Sequence, residues 1–244
     1  MFEMLVTSTF WVDVLKIIMI DVLLSGDNAV VIALACRNLP EAQRKKGILL
    51  GMSGAVLLRI TLTFFAVSLL SIPYLKLVGA MLLIWIGIKL ILPEEDHDES
   101  SIKADARLLG AVKTIIIADF VMSLDNVLGV AAAAKGNVPL LVFGLLISIP
   151  LIAWSSQLVL KLIDRFPYII YGGGALLGYV AGEMLVSEAL ITPLIEARHY
   201  LHWLIPAIGA ILVLVIGKWL SLRIATGGKA VDLLDGAVAP GKQD

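Results

Sequence analysis

The chain has 244 residues, of which 59% are hydrophobic and only 16% are charged, and its mean hydropathy is +0.97. A soluble domain has about 25% charged residues, so this composition excludes an ordinary soluble protein and predicts an all-α membrane protein. The formal net charge of −1 argues against nucleic acid or another polyanion as a partner. The single cysteine, Cys36, excludes a disulfide within the chain.

Apolar stretches follow one another along the chain, each close to the roughly 20 residues that a helix needs to cross a bilayer. Connections containing proline, glycine or charged residues separate these stretches, and only 93–107 is both long and polar. We predict seven transmembrane helices, at about 11–36, 47–70, 74–92, 109–134, 138–161, 168–191 and 203–223.

The distribution of basic residues predicts the orientation in the membrane. Cytoplasmic connections are usually enriched in lysine and arginine. Here the basic residues follow helices one, three, five and seven, at Arg37, Arg44, Lys45, Lys46, Lys103, Arg107, Lys161, Arg165, Arg223, Lys229 and Lys242. The opposite side has Lys76, Lys135 and Arg198. We therefore expect the N-terminus outside and the C-terminus in the cytoplasm.

Two segments of the chain are related to each other. IIMIDVLLSGDNAVVIALAC (17–36) aligns without gaps on IIIADFVMSLDNVLGVAAAA (115–134), at a constant offset of 98, with eight of twenty pairs identical. Pro73-Tyr74 similarly matches Pro167-Tyr168, and Gly79 matches Gly173. The pattern predicts two copies of a three-helix unit followed by one additional helix.

Because each copy contains an odd number of helices, the second copy must lie upside down relative to the first. Inverted repeats of this kind are typical of secondary transporters, which bind their substrate where the copies meet. We divide the chain into a first repeat (1–92), an acidic cytoplasmic loop (93–107), a second, inverted repeat (108–192), a seventh transmembrane helix (193–223) and a cytoplasmic tail (224–244). Glycines spaced four apart, as in GILLG (47–51), GALLG (174–178) and GYVAG (178–182), predict closely packed helices.

The related segments place carboxylates where lipid is expected. An ionisable residue at the centre of a span costs about 2.5–3.5 kcal/mol, so four aspartates would cost about 10 kcal/mol without compensation. A bound cation is the natural compensation, and carboxylate and amide oxygens suit Mg²⁺, Ca²⁺ and Mn²⁺. The candidate metal ligands are Asp21, Asp27, Asn28, Asp119, Asp125 and Asn126.

Helix geometry divides these candidates into two groups. Six residues advance about 600° and 9 Å along a straight helix, so Asp21 and Asp27 cannot share one ion unless the helix breaks. Gly26 permits such a break, whereas Leu124 holds its place in the second copy. We expect an inner shell of Asp27, Asn28, Asp125 and Asn126. Asp21 and Asp119 would support it, line the pathway, or become ligands if the helices unwind.

A structural role for these carboxylates is the alternative. Arg59, near the centre of the second span, is an obvious ion-pair partner, although one arginine cannot neutralise four aspartates. It could also act as a tethered cation that occupies the site between transport events. The acidic run at 94–99 is either a solvated loop or a collector of divalent cations. The chain contains no catalytic or nucleotide-binding motif, so we expect no enzyme activity and no permanent cofactor.

The SGDNAVVIALA and SLDN segments, within two inverted halves and before a seventh span, resemble the TerC family of integral membrane proteins. The stretches RNLPEAQRKKGILLG and PYLKLVGAMLLIWIGIKL resemble its YjbE-like branch, and the resemblance covers about residues 9–223. It implies a metal-ion transporter of the bacterial inner membrane, with some members linked to manganese export and others to tellurite resistance. The acidic motif residues of the family correspond to the six candidate ligands named above.

We therefore expect a Mn²⁺ exporter that exchanges the metal for protons, because no nucleotide site exists to drive export. A small-molecule exporter of the LysE type, or a membrane scaffold linked to tellurite resistance, is the alternative. The expected partners are the lipid bilayer and the divalent cation. The sequence leaves open the choice between Mn²⁺ and Ca²⁺, the coupling ion and whether the protein forms a homo-oligomer.

Overall fold

The computed structural model describes residues 8–24, 26–70, 72–93, 101–134, 137–188, 191–192 and 198–238; at Asp125 and in several other stretches it describes the backbone alone. The regular elements of this part are α-helices. They are α1 (Ser8–Leu24), α2 (Gly26–Cys36), α3 (Glu41–Leu70), α4 (Leu75–Ile91), α5 (Ser101–Ala134), α6 (Val138–Arg165), α7 (Tyr168–Val186) and α8 (Leu201–Val238).

Several helices meet the length and apolarity that a membrane crossing requires. Within the described residues four segments do so: Glu41–Phe65, Pro139–Arg165, Tyr168–Val186 and Leu201–Ile224. The bent pair Val14–Asp21 and Gly26–Cys36 forms a fifth candidate if it is counted as one span. The prediction of an all-helical membrane protein is therefore confirmed.

Helix ends differ from the predicted ones by several residues. The helix α3 begins at Glu41 rather than at 47, and α5 begins at Ser101, inside the stretch predicted to be a loop. Apolarity alone defined the predicted spans, whereas Glu, Ala, Gln, Arg and Lys also favour helix, so both helices extend beyond their apolar parts. The helix α7 ends at Val186 rather than at 191, and α8 continues through 224–238.

The helices pack in pairs around a common core. The most extensive contacts join α3 to α5, α6 to both α1 and α2, α4 to α7, and α8 to α7. A cluster of buried side chains from α2, α4, α5 and α7 lies at the centre, and it includes Leu34, Leu83, Ile115 and Leu177. The broken helix α1–α2 and the helix α5 therefore lie inside the bundle.

Glycines allow the closest helix contacts, as their spacing predicted. A Cβ atom at Gly178 would lie 2.3 Å from the carbonyl oxygen of Gly209, and one at Gly182 would lie 2.4 Å from the Cα atom of Pro206. Both glycines therefore let α7 approach the backbone of α8. At Gly51, on α3, a Cβ atom would lie 2.5 Å from Ile115 of α5.

Large apolar side chains cover much of the outer surface. Leu57, Phe64, Trp85, Trp154 and Ile211 each have about half or more of their surface exposed. Contiguous apolar surface of this kind is unfavourable in water and favourable against lipid. The surface therefore agrees with a bilayer environment.

Candidate ion-binding site

The first related segment is broken where the sequence permits it. The helix α1 ends at Leu24 and α2 begins at Gly26, and segments 14–21 and 26–36 are inclined to each other by 54°. In the second copy, α5 continues without interruption through Leu124. The break changes the direction of the chain between Asp21 and Asn28, so that both side chains reach the same group of residues.

Arg59 of α3 lies between two of the predicted carboxylates. Its Nη1 donates a hydrogen bond to Asp21 of α1, and its Nη2 donates one to Asp119 of α5. All three side chains are buried, with exposed fractions of 3% for Arg59, 1% for Asp21 and 7% for Asp119. One guanidinium group therefore joins three helices inside the bundle.

Neutral side chains complete the hydrogen bonding of these carboxylates. Ser148 of α6 donates to Asp21, and Asn28 of α2 donates through Nδ2 to Asp119 at 2.9 Å. Ser123 accepts from Nε of Arg59 at 3.0 Å and donates to Asp119 at 3.2 Å. We call this group the aspartate–arginine cluster; its members are Asp21, Asn28, Arg59, Asp119, Ser123 and Ser148.

The charges and donors of the cluster do not balance. With both carboxylates ionised, two negative charges face one positive charge. In addition, Oδ1 of Asn28 is buried and has no hydrogen-bond partner among the described atoms, and Asn28 itself is only 4% exposed. Exchanging Oδ1 and Nδ2 of Asn28 would turn this oxygen toward the carboxylate of Asp119. An ionised carboxylate cannot donate a hydrogen bond, so the oxygen would gain no partner there. The cluster therefore combines an excess negative charge with an unused oxygen acceptor.

The remaining predicted ligands are Asp27, Asp125 and Asn126. Asp27 is half-buried in the first turn of α2, and its carboxylate accepts a hydrogen bond from the backbone amide of Asn28 at 2.9 Å. It also lies close enough to Arg59 and Asp119 for electrostatic interaction with both. Asn126 is half-buried on α5 and has an interaction partner. The side chain of Asp125 lies outside the described part.

The structure thus brings together Asp21, Asn28 and Asp119, which the sequence divided between an inner and an outer group. Among the described residues, no three His, Cys, Asp or Glu side chains are close enough to hold a metal ion. The predicted inner shell of Asp27, Asn28, Asp125 and Asn126 stays a prediction. Arg59 occupies the place between the carboxylates.

Sequence reasoning did not select the two serines of the cluster. Ser148 lies in the apolar run FGLLISIPLIAW, where one small polar residue gives little signal. Ser123 carried a stronger signal, because it matches Ser25 in the other related segment. Both are fully buried, and their hydroxyl groups orient the aspartates.

Apolar helices, an apolar outer surface and a buried charged cluster together define a multi-pass integral membrane protein. The chain belongs to the integral membrane protein TerC family, whose sequence model matches residues 6–224. The family predicted from the SGDN and SLDN segments is therefore confirmed.

Related proteins come from several bacteria. An uncharacterized membrane protein of Bacillus subtilis (strain 168), YjbE, is 44% identical over 78% of this chain and 86% of its own length. YceF of the same organism is 28% identical over 76% of this chain and 75% of its own length. A UPF0053 protein of Haemophilus influenzae is 26% identical over 78% of this chain and 87% of its own length. No solved structure matches the chain.

Proposed function

We propose that this protein is a transporter that exports a divalent metal ion, preferentially Mn²⁺, from the cytoplasm. In this proposal it is not an enzyme and does not depend on a permanent cofactor. The observation that carries the proposal is the aspartate–arginine cluster, in which two buried carboxylates and the unused oxygen of Asn28 meet beside a helix break. These oxygen donors are the ligands that Mn²⁺, Mg²⁺ and Ca²⁺ prefer.

Arg59 acts in this proposal as a tethered cation. In the resting state it lies between Asp21 and Asp119, where it reduces the repulsion between them. A divalent ion that enters the cluster adds two positive charges beside the guanidinium group, so Arg59 must move aside. When the ion leaves, Arg59 returns, so the two carboxylates are not left without a positive charge between them.

Proton exchange supplies the driving force in this mechanism. Moving a divalent ion outward against an inside-negative potential of 100 mV costs about 4.6 kcal/mol. If two protons enter for each ion that leaves, no net charge moves and this cost disappears. The carboxylates can carry the protons, because a cluster emptied of metal repels itself less when it is protonated.

The packing of helices supports an inverted repeat. Ile17 of α1 and Ile115 of α5 are equivalent at the offset of 98 and are both fully buried. Ile115 lies against Gly51 of α3, and Ile17 lies against Gly144 of α6, so that a Cβ atom at either glycine would be 2.5 Å from its isoleucine. The same kind of contact thus joins the second helix of each proposed half to the first helix of the other half.

A second pair of contacts follows the same rule. Gly79 of α4 packs against Val121 of α5, and its sequence equivalent Gly173 of α7 packs against Leu34 of α2. The third helix of each proposed half therefore contacts the first helix of the other half. These contacts support seven spans, with α1 and α2 as one broken span and α8 as the additional one. The basic residues that follow the first, third, fifth and seventh spans support an N-terminus outside and a C-terminus in the cytoplasm of a bacterial inner-membrane protein.

Ion flux into reconstituted vesicles tests the proposal. Asp27→Asn and Asp125→Asn keep the size of the side chain and one oxygen donor but remove a negative charge that the predicted inner shell would use to bind the metal ion. We expect each to abolish Mn²⁺ flux while the protein stays folded. Asp164→Asn is the matched control, since Asp164 is exposed and pairs with Arg44 outside the cluster; its flux should stay within about twofold of the parent.

The same vesicles test ion choice and coupling. Mn²⁺, Ca²⁺, Mg²⁺ and Zn²⁺ are compared with and without an imposed pH gradient, at a clamped membrane potential. We expect Mn²⁺ to move fastest and a proton gradient in the opposite direction to accelerate it. If both Asp27→Asn and Asp125→Asn keep flux within about twofold of the parent, these carboxylates are structural and the proposal is wrong.

A further inference from the structure

A second polar region lies away from the aspartate–arginine cluster. A partly open cavity of about 400 Å³ is lined by the end of α2, the end of α4 and the early turns of α5. Its wall contains three basic residues, Arg37, Lys89 and Arg107, and none of the described residues that line it is acidic. Three positive charges around one cavity, with no carboxylate among its described lining residues, favour an anionic occupant.

Hydrogen bonds hold one side of the cavity in place. Arg37 donates through Nη2 to the carbonyl oxygen of Leu92 at 2.9 Å, which ties the end of α2 to the end of α4. Arg44 donates to the carbonyl oxygens of Arg37 at 2.8 Å and of Leu39 at 3.2 Å. The connection between α2 and α3 is therefore fixed by two arginines, and the cavity does not depend on a loosely held loop.

The cavity has a polar rim and an apolar interior. Leu34, Leu90 and Ala111 are buried, whereas Arg37 and Arg107 are half-buried and Lys89 is exposed. The apolar residues therefore lie deeper than the charged ones. Gly110 adds open space, because a Cβ atom there would meet nothing within 4 Å. This arrangement suits a ligand that has both a charged group and an apolar part.

Helix capping accounts for only part of the basic charge. Arg37 and Lys89 lie at the C-terminal ends of α2 and α4, where a positive charge stabilises the helix. Arg107 lies in the second turn of α5, near its N-terminal end, where helix electrostatics give a positive charge no support. An anion in the cavity would give Arg107 a compensating negative charge.

The cavity also lies where lipid headgroups are expected. It is formed at helix ends, and Trp85, one turn before Lys89, is 55% exposed, with its ring 5.3 Å from Nζ of Lys89. Tryptophan and lysine are common at the boundary between hydrocarbon and headgroups. Basic pockets between transmembrane helices are a known type of binding site for anionic headgroups.

We propose that this cavity binds the phosphate group of an anionic phospholipid, from the leaflet that surrounds this end of the helices. Arg37, Lys89 and Arg107 contact the phosphate, and the buried Leu34, Leu90 and Ala111 contact the apolar part of the same lipid. The proposal does not depend on metal transport.

Native mass spectrometry of the purified full-length protein in detergent tests the proposal, with phosphatidylglycerol and phosphatidylcholine as probes. The variant is Lys89→Gln with Arg107→Gln; Arg37 is kept because it ties α2 to α4. The control is Lys45→Gln with Lys46→Gln, which removes the same charge from exposed positions outside the cavity, at the same end of the bundle.

We expect the parent to retain phosphatidylglycerol in preference to phosphatidylcholine. Affinity for phosphatidylglycerol should fall about tenfold or more in the cavity variant and stay within about twofold in the control. Equal losses in the two variants, or equal binding of the two lipids, would overturn the proposal.

Two further arms separate other sources of negative charge. Inorganic phosphate that displaces the lipid at millimolar concentration would indicate a site for a free anion instead. A variant with Glu94, Glu95, Asp96, Asp98 and Glu99 neutralised tests whether the adjoining acidic segment fills the cavity. If phosphatidylglycerol binds this variant but not the parent, the chain itself supplies the anion and the lipid proposal is wrong.

Discussion

At the scale of single residues, Arg59 supplies three of the hydrogen bonds of the aspartate–arginine cluster. It donates to Asp21, Asp119 and Ser123, which lie on two other helices. A planar guanidinium group can do this because its donors point in several fixed directions, which an ammonium group cannot match. Burial of these charges is costly, so removing one partner leaves the others in an unfavourable environment.

We predict that Arg59→Met lowers the free energy of unfolding by about 3–5 kcal/mol, because Asp21 and Asp119 lose their buried counter-ion. Thermal unfolding in detergent measures the change. Combining Arg59→Met with Asp21→Asn and Asp119→Asn should restore part of the loss, since no uncompensated charge then remains. If the combined variant is less stable than Arg59→Met alone, the carboxylates are not paired with Arg59 in the way described.

We predict that Ser148→Ala lowers the free energy of unfolding by about 1–3 kcal/mol, because Asp21 loses a hydrogen-bond donor inside the bundle. Ser156→Ala is a matched control on the same helix. Ser156 is equally buried, but its described acceptor is the carbonyl oxygen of Ile152 in its own helix, whereas Ser148 is within hydrogen-bond distance of Asp21 as well as of the carbonyl oxygen of Leu145 in its own helix. Comparable losses in the two variants would indicate a general cost of removing a buried hydroxyl group.

The sequence identified the charged residues of the site but not their arrangement. Asp21, Asn28 and Asp119 were all selected, because polar residues repeated within apolar spans are costly. Their grouping depends on the angle at the break between α1 and α2 and on which helix faces α3. Neither quantity follows from residue spacing along one helix, so the grouping of Asp21, Asn28 and Asp119 around Arg59 could not be predicted, and the inner shell of Asp27, Asn28, Asp125 and Asn126 stays a prediction.

At the scale of helices, apolar periodicity located the helical segments but not their ends. The positions of all the predicted spans are occupied by helices in the described part. The polar extensions of α3 and α5 were missed, because the membrane criterion counts apolar residues whereas helix formation also uses charged ones. At the end of α7, the amide of Ser187 donates to the carbonyl oxygen of Glu183 in the α-helical pattern, and the amide of Glu188 donates to that of Leu185 in a tighter turn.

Gly178→Ala should separate α7 from α8. The added methyl group would lie 2.3 Å from the carbonyl oxygen of Gly209, which belongs to the backbone and cannot rotate away. We expect a loss of about 1–3 kcal/mol in the free energy of unfolding. Gly172→Ala on the same helix is the control, because its methyl group would meet nothing within 4 Å.

Removing a helix-destabilising glycine should leave the Gly172→Ala protein unchanged or up to about 1 kcal/mol more stable. A loss of stability is therefore expected for Gly178→Ala but not for Gly172→Ala in the same unfolding assay. Similar changes at the two positions would show that α7 and α8 are not in close contact at Gly178.

At the scale of the whole molecule, the proposed topology predicts which side of the membrane each connection faces. Cys36 is the only cysteine and is fully buried, so the parent should react little with a membrane-impermeant thiol reagent. A cysteine introduced at Asn137, between α5 and α6, should be labelled from outside in intact cells. A reporter fused after Asp244 should be active in the cytoplasm. The reverse result would contradict both the topology and the export direction.

Arg59 has no counterpart in the second half of the proposed repeat. At the offset of 94 that relates Pro73 to Pro167, the equivalent position is Ala153. Two identical halves facing each other across a twofold axis can contribute only an even number of guanidinium groups. With no guanidinium group, the two aspartates would leave two negative charges in the interior. With two guanidinium groups, these charges would be cancelled. Two unlike halves in one polypeptide permit an odd number, so Asp21 and Asp119 share a single guanidinium group; in the proposed mechanism the unbalanced carboxylate attracts the cation.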